Sequence, residues 1–300
     1  MVGVDRRKGL SNSLDKFIEG DLLDDTVLEN SLEGVDCVLH LAAAKHDFGV
    51  SDAKYFRDNL EVTRGLIQAG RKHGVVKWLF YSSVSAIGPS VVPADERSSL
   101  APNTAYGASK AQAEKLFHNF GEEDPDAMVI IVRPSVVYGP GNYQNTNIYR
   151  LIDAIYKNRF IMVGNGEIIK TTSYIDNLVS ATLFLIERMR CGVQTYIYVD
   201  EPVMTTGRLI NNIYVALQKK QPKWRLPLWL VNPIASILDA AASLTRIDFP
   251  ITAARARKFC TPTYYDGSSI RKLGFRQHVS NEEALRSTIE WYLSQEALGK

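Results

Sequence analysis

The stretch KWLFYSS, residues 77–83, is a short apolar run that ends in two adjacent hydroxyls. A run that stays apolar on successive residues suits a strand buried on both faces, as in a parallel sheet covered by helices. DCVLHLAA (36–43) and MVIIVRPS (128–135) have the same character. Between these runs, DAKYFRDNLEVTRGLIQAGRKHG (52–74) and TAYGASKAQAEKLFHNF (104–120) read as helices, the second with Asn103 or Thr104 as N-cap. Strands alternating with helices build βαβ units, so the predicted fold is an α/β, doubly wound, mainly parallel sheet. Ligands of such sheets bind at the carboxyl ends of the strands, which is where Ser83 falls.

The totals narrow the function class. The chain has 300 residues, is 45% apolar and carries a net charge of +2. That length builds one large domain, or a domain with a smaller lobe. No basic stripe stands out, which argues against nucleic acid as a partner. Cys37, Cys191 and Cys260 form no CxxC pair and no disulfide framework, pointing to a reducing, cytoplasmic setting. The start, MVGVDRRKGL, is too polar for a signal peptide. LPLWLVNPIASILDAAASL (226–244) contains Pro233 and Asp239 and reads as an amphipathic or buried helix, not a membrane span; its Trp and Leu content leaves a membrane-surface contact as the alternative. The histidines are dispersed with no metal-site spacing, and His40 reads as a satisfied core residue.

From about Tyr143 the pattern changes. NIYRLIDAIYKN reads as a helix, FIMVG (160–164) as a short strand, TYIYVD (195–200) as another, and a helix-rich tail follows Thr205. Residues 143–300 are therefore expected to form a small helix-rich substrate lobe over the carboxyl edge of the sheet built by residues 1–142, with some segments returning to it. Trp224 and Trp229 are expected to pack within that lobe.

YGASK (106–110) carries the chemistry. Tyr106 and Lys110 stand four apart, on one face of a helix. A phenol with an ordinary pKa of about 10 is drawn toward phenolate by a neighbouring ammonium, and becomes a base for an alcohol or an acid for a carbonyl. The small residues Gly107, Ala108 and Ser109 would let a flat cofactor approach. Ser83 lies 23 residues upstream, after a buried strand, where its hydroxyl can meet the same substrate oxygen. Strand alternation sends Ser82 to the other side if the strand ends at Ser83.

Serine, tyrosine and lysine in this order resemble the hydride-transfer triad of the extended short-chain dehydrogenase/reductase superfamily, specifically the NAD-dependent epimerase/dehydratase family. Five further segments match that family in order: GDLLD (20–24), HLAA (40–43), NLEVT (59–63), RPSVVYGPG (133–141) and KTTSYIDNLVSA (170–181). The resemblance implies a Rossmann-type fold and NAD as cofactor. It implies Ser83, Tyr106 and Lys110 as catalytic residues, with Lys110 also on the nicotinamide ribose. Implied cofactor contacts are Asp5, Arg6, Asp21, Leu22, Leu41, Ala42, Ala43, Asn59, Tyr81, Ser82, Pro134 and Val136, with Asn59 steadying the active-site backbone. Implied substrate contacts are Ser83, Ser85, Asn142, Lys170 and Tyr174. The substrate class is a nucleotide sugar, and a homodimer through helices like 52–74 and 104–120 is implied.

One feature departs from the family. A first strand and Gly-x-x-Gly-x-x-Gly turn, which would hold the pyrophosphate, has no counterpart, and MVGVDRR resembles the end of the second strand. The sequence thus reads as a truncated member with weak dinucleotide affinity. Asp5 favours NAD, whereas Arg6 and Arg7 could meet the 2′-phosphate of NADP. The expected reaction is 4-epimerisation or 4-ketoreduction of the sugar. Val84 and Ser85 stand where the dehydratase branch has acidic residues, which argues against 4,6-dehydration. A steroid-like or flavonoid-like alcohol is the second substrate reading, and a non-catalytic remnant the third.

Overall fold

The structure, a computed structural model, describes residues 1–7, 14–45, 50–141, 146–227 and 261–298. In chain order, β1 (Val2–Asp5), β2 (Lys16–Glu19), α1 (Asp25–Leu32), β3 (Cys37–His40) and α2 (Asp52–Tyr55) lead into a π-helical turn, Phe56–Glu61. Then come α3 (Val62–Lys72), β4 (Lys77–Tyr81), a 3₁₀ turn at Val84–Ala86, β5 (Ser90–Ala94), α4 (Ala105–Glu123), β6 (Met128–Pro134) and β7 (Val136–Tyr138). α5 (Asn147–Tyr156), β8 (Ile169–Lys170), β9 (Thr172–Tyr174), α6 (Ile175–Ile186), β10 (Gly192–Tyr198), β11 (Met204–Thr205) and α7 (Thr206–Ala216) follow. β12 (Thr263–Tyr265), α8 (Ser268–Lys272) and α9 (Asn281–Leu298) complete the described chain.

The main sheet has the order β10-β6-β4-β3 with all pairs parallel, so the runs at 77–83 and 128–135 lie side by side as the sequence predicts. Alternation explains why they are apolar throughout. Trp78, Phe80, Val129 and Ile131 face one core with Leu66, Ile67 and Phe117. Leu79, Ile130 and Val132 face a second core with Leu178, Leu185 and Phe275. Both faces are dry, as a parallel sheet requires. A third core joins α5, α7 and α9 through Ile152, Ile210, Leu285 and Tyr292.

The structure differs from the expectation at four places. β1 and β2 pair in parallel as their own two-stranded sheet, so the sheet predicted as one is divided. FIMVG gives no strand; Val163 alone bridges to Leu226. A small sheet, β11-β8-β12-β5, is absent from the sequence reading, because strands this short carry no measurable period. Trp224 is 60% exposed rather than packed, and Trp229 and most of the 226–244 run lie outside the described residues. Among the described residues no helix is long and apolar enough to cross a membrane.

Gly70 on α3 sets how closely that helix approaches β4. A Cβ there would meet Trp78 Cζ2 at 2.3 Å, and the indole is fully buried. Gly70→Ala should destabilise the protein by about 1–3 kcal/mol through overpacking, read as a lower urea midpoint. An unchanged midpoint would show that the helix can lift off the sheet freely.

Candidate active site

The site is built where α4 meets the end of β4. Thr104 is the helix cap: its Oγ1 accepts from the Gly107 amide at 3.1 Å. One turn in, α4 lies directly on the 3₁₀ turn that follows Ser83. A Cβ on Gly107 would be 2.2 Å from the Ser85 carbonyl oxygen. Gly107 therefore makes room for the chain's own backbone, a correction to the reading that all three small residues serve a cofactor. Ser109 is also buried, its hydroxyl donating to the Tyr106 carbonyl at 2.8 Å, so only Ala108 of the three stays partly exposed.

Tyr106 is part-exposed at the open end of the helix, its ring edge-on to Tyr55 at 5.9 Å. Lys110, one turn deeper, is only 2% exposed. Its ammonium donates to the Tyr81 carbonyl at 2.7 Å and sits 4.6 Å over the Phe80 ring. Burial pushes Lys110 down to about 7, with the charge of Glu114 opposing that shift. Ser83 follows β4 in extended conformation, and its Oγ accepts from the Ser85 amide at 3.1 Å. Ser82 is turned the other way. Its hydroxyl donates to Glu114, which Arg133 grips with both Nε (2.9 Å) and Nη2 (2.6 Å).

Asn59 is fully buried in the π-helical turn, and π-bulges are frequent at functional sites. Its amide accepts from the Ala44 N–H at 2.7 Å, and donates to the Ala44 carbonyl at 3.1 Å and to Ser109 Oγ at 2.9 Å. It thus ties the segment after β3 to α4. Leu41 (57% exposed) and Ala42 are open there, and Ala43 is half-buried. His40 beneath them bonds Thr63 Oγ1 at 2.9 Å, and burial pushes it down to about 3, so it is a neutral, satisfied core residue.

At the end of β1, Asp5 is exposed and its carboxylate accepts from the Arg7 amide at 2.9 Å. Arg6 does not point free. It donates to Asp58 at 3.0 and 3.1 Å and to Asp21 at 3.1 Å. Lys54 adds a third donor to Asp58 at 2.8 Å. Leu22 packs against the first core. Tyr81 shares a hydrogen bond with Thr182 at 2.6 Å, Pro134 is buried and Val136 is half-buried. Ser85 is half-buried on the turn. The Lys170 ammonium donates to the Thr261 carbonyl. Tyr174 is buried beside Tyr138 and donates to Ser287 at 3.4 Å. Asn142 lies outside the described residues.

The sequence reading missed Glu114, Arg133 and Asp58. Each left a trace: Glu114 continues the Tyr106–Lys110 face by one more turn, Arg133 is a charge inside an apolar strand, and Asp58 precedes Asn59. None could be paired without the fold.

A model of the NAD dependent epimerase/dehydratase family matches residues 1–199. The N-acetyl-alpha-D-glucosaminyl-diphospho-ditrans,octacis-undecaprenol 4-epimerase of Escherichia coli O157:H7 is 30% identical over 273 residues, covering 91% of this chain and 82% of that protein. The decarboxylating sterol-4-alpha-carboxylate 3-dehydrogenase of Mus musculus is 26% identical over 301 residues, covering 95% of this chain and 82% of that protein. The solved structure of MoeE5 in complex with UDP-glucose and NAD superposes with a TM-score of 0.73 at 26% identity, covering 99% of this chain and 91% of that one.

The Asp58 cluster gives a pH test. Hydrogen bonding from Arg6, against the opposing effect of burial, lowers Asp58 to about 2. A carboxylate depressed in the folded state contributes stability above its unfolded value of about 4, and loses it as pH falls through the folded one. Asp58→Asn should cost about 1–3 kcal/mol near neutral pH. The gap to wild type should close as pH falls from about 4 toward 2, followed by thermal melting. A gap that persists unchanged at the acid end would exclude the ionised pair as its source.

Proposed function

Because the chain belongs to the NAD dependent epimerase/dehydratase family, we propose that it is an NAD-dependent 4-epimerase of a diphosphate-linked sugar, working through Ser83, Tyr106 and Lys110. A nucleotide sugar is the proposed substrate, and 4-ketoreduction is the same chemistry run one way. The observation that carries the reading is the part-exposed phenol of Tyr106 one helical turn above the buried ammonium of Lys110, on a helix seated against the Ser83 turn. The 30% identity to a sugar-diphospholipid 4-epimerase over 91% of the chain supports the choice of reaction.

The residues at the carboxyl edge fit the two ends of a dinucleotide, while the sequence holds no Gly-x-x-Gly-x-x-Gly turn for its pyrophosphate. Asp5 is open at the end of β1, Ala42 is exposed, Ala43 is half-buried, and Asn59 holds the Ala44 backbone that follows them. Asp5 and Asp21 would meet the adenosine end, Ala42 and Ala43 the middle, and Lys110 the nicotinamide ribose. Arg6 is already engaged by Asp58 and Asp21, which supports NAD over a 2′-phosphorylated cofactor. Bound NAD supplies an acceptor for the C4 hydrogen with its electron pair, and a donor for its return.

The chain's own groups handle the proton. Tyr106 as phenolate takes the proton of the C4 hydroxyl, and Lys110 favours that phenolate by its charge. Ser83 donates to the same oxygen and holds it as it becomes a carbonyl. On return Tyr106 gives the proton back; presentation of the other face of the ketone inverts the centre. A second reading, oxidation of a lipid alcohol, is favoured by the match to a sterol dehydrogenase across 95% of the chain.

Tyr106→Phe, assayed with NAD and UDP-N-acetylglucosamine, should lower turnover at least about 100-fold, the range of a lost general acid–base, while NAD binding in a calorimeter stays unchanged. Retained turnover would remove Tyr106 from the chemistry. Turnover of a 3β-hydroxysteroid in place of the sugar nucleotide would select the second reading.

A further inference from the structure

A buried ion pair lies just behind the helix face that carries Tyr106 and Lys110, and the proposed reaction does not use it. Glu114 is fully buried and Arg133 is only 4% exposed. Replacing a buried ion pair by apolar residues is often neutral or stabilising, so such a pair is weak evidence for stability and better explained by the geometry it imposes. Here that geometry is specific. Glu114 Oε1 accepts from both Arg133 Nε and the Ser82 hydroxyl, and Oε2 accepts from Arg133 Nη2. Arg133 also donates to the Glu96 carbonyl at 3.3 Å. The Glu96 carboxylate in turn accepts from the Ile197 amide and from Ser269 Oγ, both at 2.8 Å. The helix is thereby fixed to β6, β10 and α8 at once.

Two adjacent buried serines follow β4, and the hydroxyl of Ser82 is the one taken by Glu114. Glu114 stands two turns below Tyr106 on the face that also carries Lys110. We propose that Glu114, clamped by Arg133, is a positioning residue for the reaction: by taking the Ser82 hydroxyl into the core it fixes the end of β4 so that Ser83 presents its hydroxyl beside Tyr106. The catalytic part of this inference rests on the function proposed above. The positioning part rests on the hydrogen bonds alone. A glutamine at 114 offers one oxygen where the carboxylate offers two, so either Arg133 Nε or Arg133 Nη2 must lose its acceptor, and the charge that holds the Ser82 hydroxyl is gone.

The test compares Glu114→Gln and Ser82→Ala in the full chain by hydrogen exchange and by turnover. Ser82→Ala removes a single hydroxyl and keeps the proposal open to refutation should Glu114→Gln fail to fold. Exchange of the Ser85 and Ala86 amides, which bond to Ser83, should accelerate about tenfold or more, the loss expected for one hydrogen bond to a charged acceptor. Exchange in α9 should not change. With UDP-N-acetylglucosamine, kcat should fall while KM and NAD affinity hold. Unchanged exchange at residues 82–86, or acceleration spread equally over α9, overturns the positioning role whatever the substrate is. If exchange responds as expected and kcat does not, while Tyr106→Phe abolishes turnover, the catalytic consequence is overturned and the proposed function stands. If Tyr106→Phe also turns over, the proposed function fails and exchange alone decides for Glu114.

Discussion

The seating of α4 on the turn after β4, with no gap between them, is the constraint on which the site depends. Gly107 lies so close to the Ser85 carbonyl that no side chain fits between the two segments. Of three groups on the same face of the helix, two reach the end of the strand. Tyr106 stays at the mouth, Lys110 bonds the last carbonyl of β4, and Glu114 takes the hydroxyl of the next residue. Hydrogen bonds at both depths leave the helix little freedom to slide or rotate. Reacting groups misplaced by about 1 Å can lose 100-fold in rate, so in the proposed reaction this docking would set the geometry of the reacting groups.

A second layer of support comes from the other side of α4. Asn59 uses its whole amide to join Ala44, Ser109 and, through them, the end of β3 to the helix. The π-helical turn that carries Asn59 also carries Asp58, and Asp58 gathers Arg6 from the end of β1. One short turn therefore links the carboxyl ends of two separate sheets to the helix. Charge is used differently in the two places. Around Asp58 the cations are partly exposed, so each pair contributes modestly. Around Glu114 the pair is dry, and its worth lies in orientation.

What was legible in the sequence is what is local. The runs at 36–43, 77–83 and 128–135 read as strands because both faces of the parallel sheet are covered, and Tyr106 and Lys110 read as one face because helical spacing makes them so. Alternation separated Ser82 from Ser83 on the premise that the strand runs to Ser83; β4 ends at Tyr81, both serines are buried, and Ser82 is the one that bonds Glu114. The rest required tertiary pairing. Arg6 looks like a free cation until Asp58, 52 residues on, is placed beside it. Gly107 looks like room for a ligand until the Ser85 carbonyl fills that room. FIMVG is apolar enough for a strand, yet among the described residues its one bridge is Val163 to Leu226. Hydrophobic pattern predicts burial, and burial alone does not choose a partner.

The central claim is that this site moves the C4 hydrogen as a hydride and keeps it out of water. The most direct measurement is the fate of that hydrogen: UDP-N-acetylglucosamine deuterated at C4 is turned over with NAD, and the product is read by mass spectrometry and NMR. The account predicts slower turnover than with the unlabelled sugar, inversion at C4, and deuterium retained there. Deuterium lost to solvent would mean that the hydrogen leaves as a proton, and would contradict it.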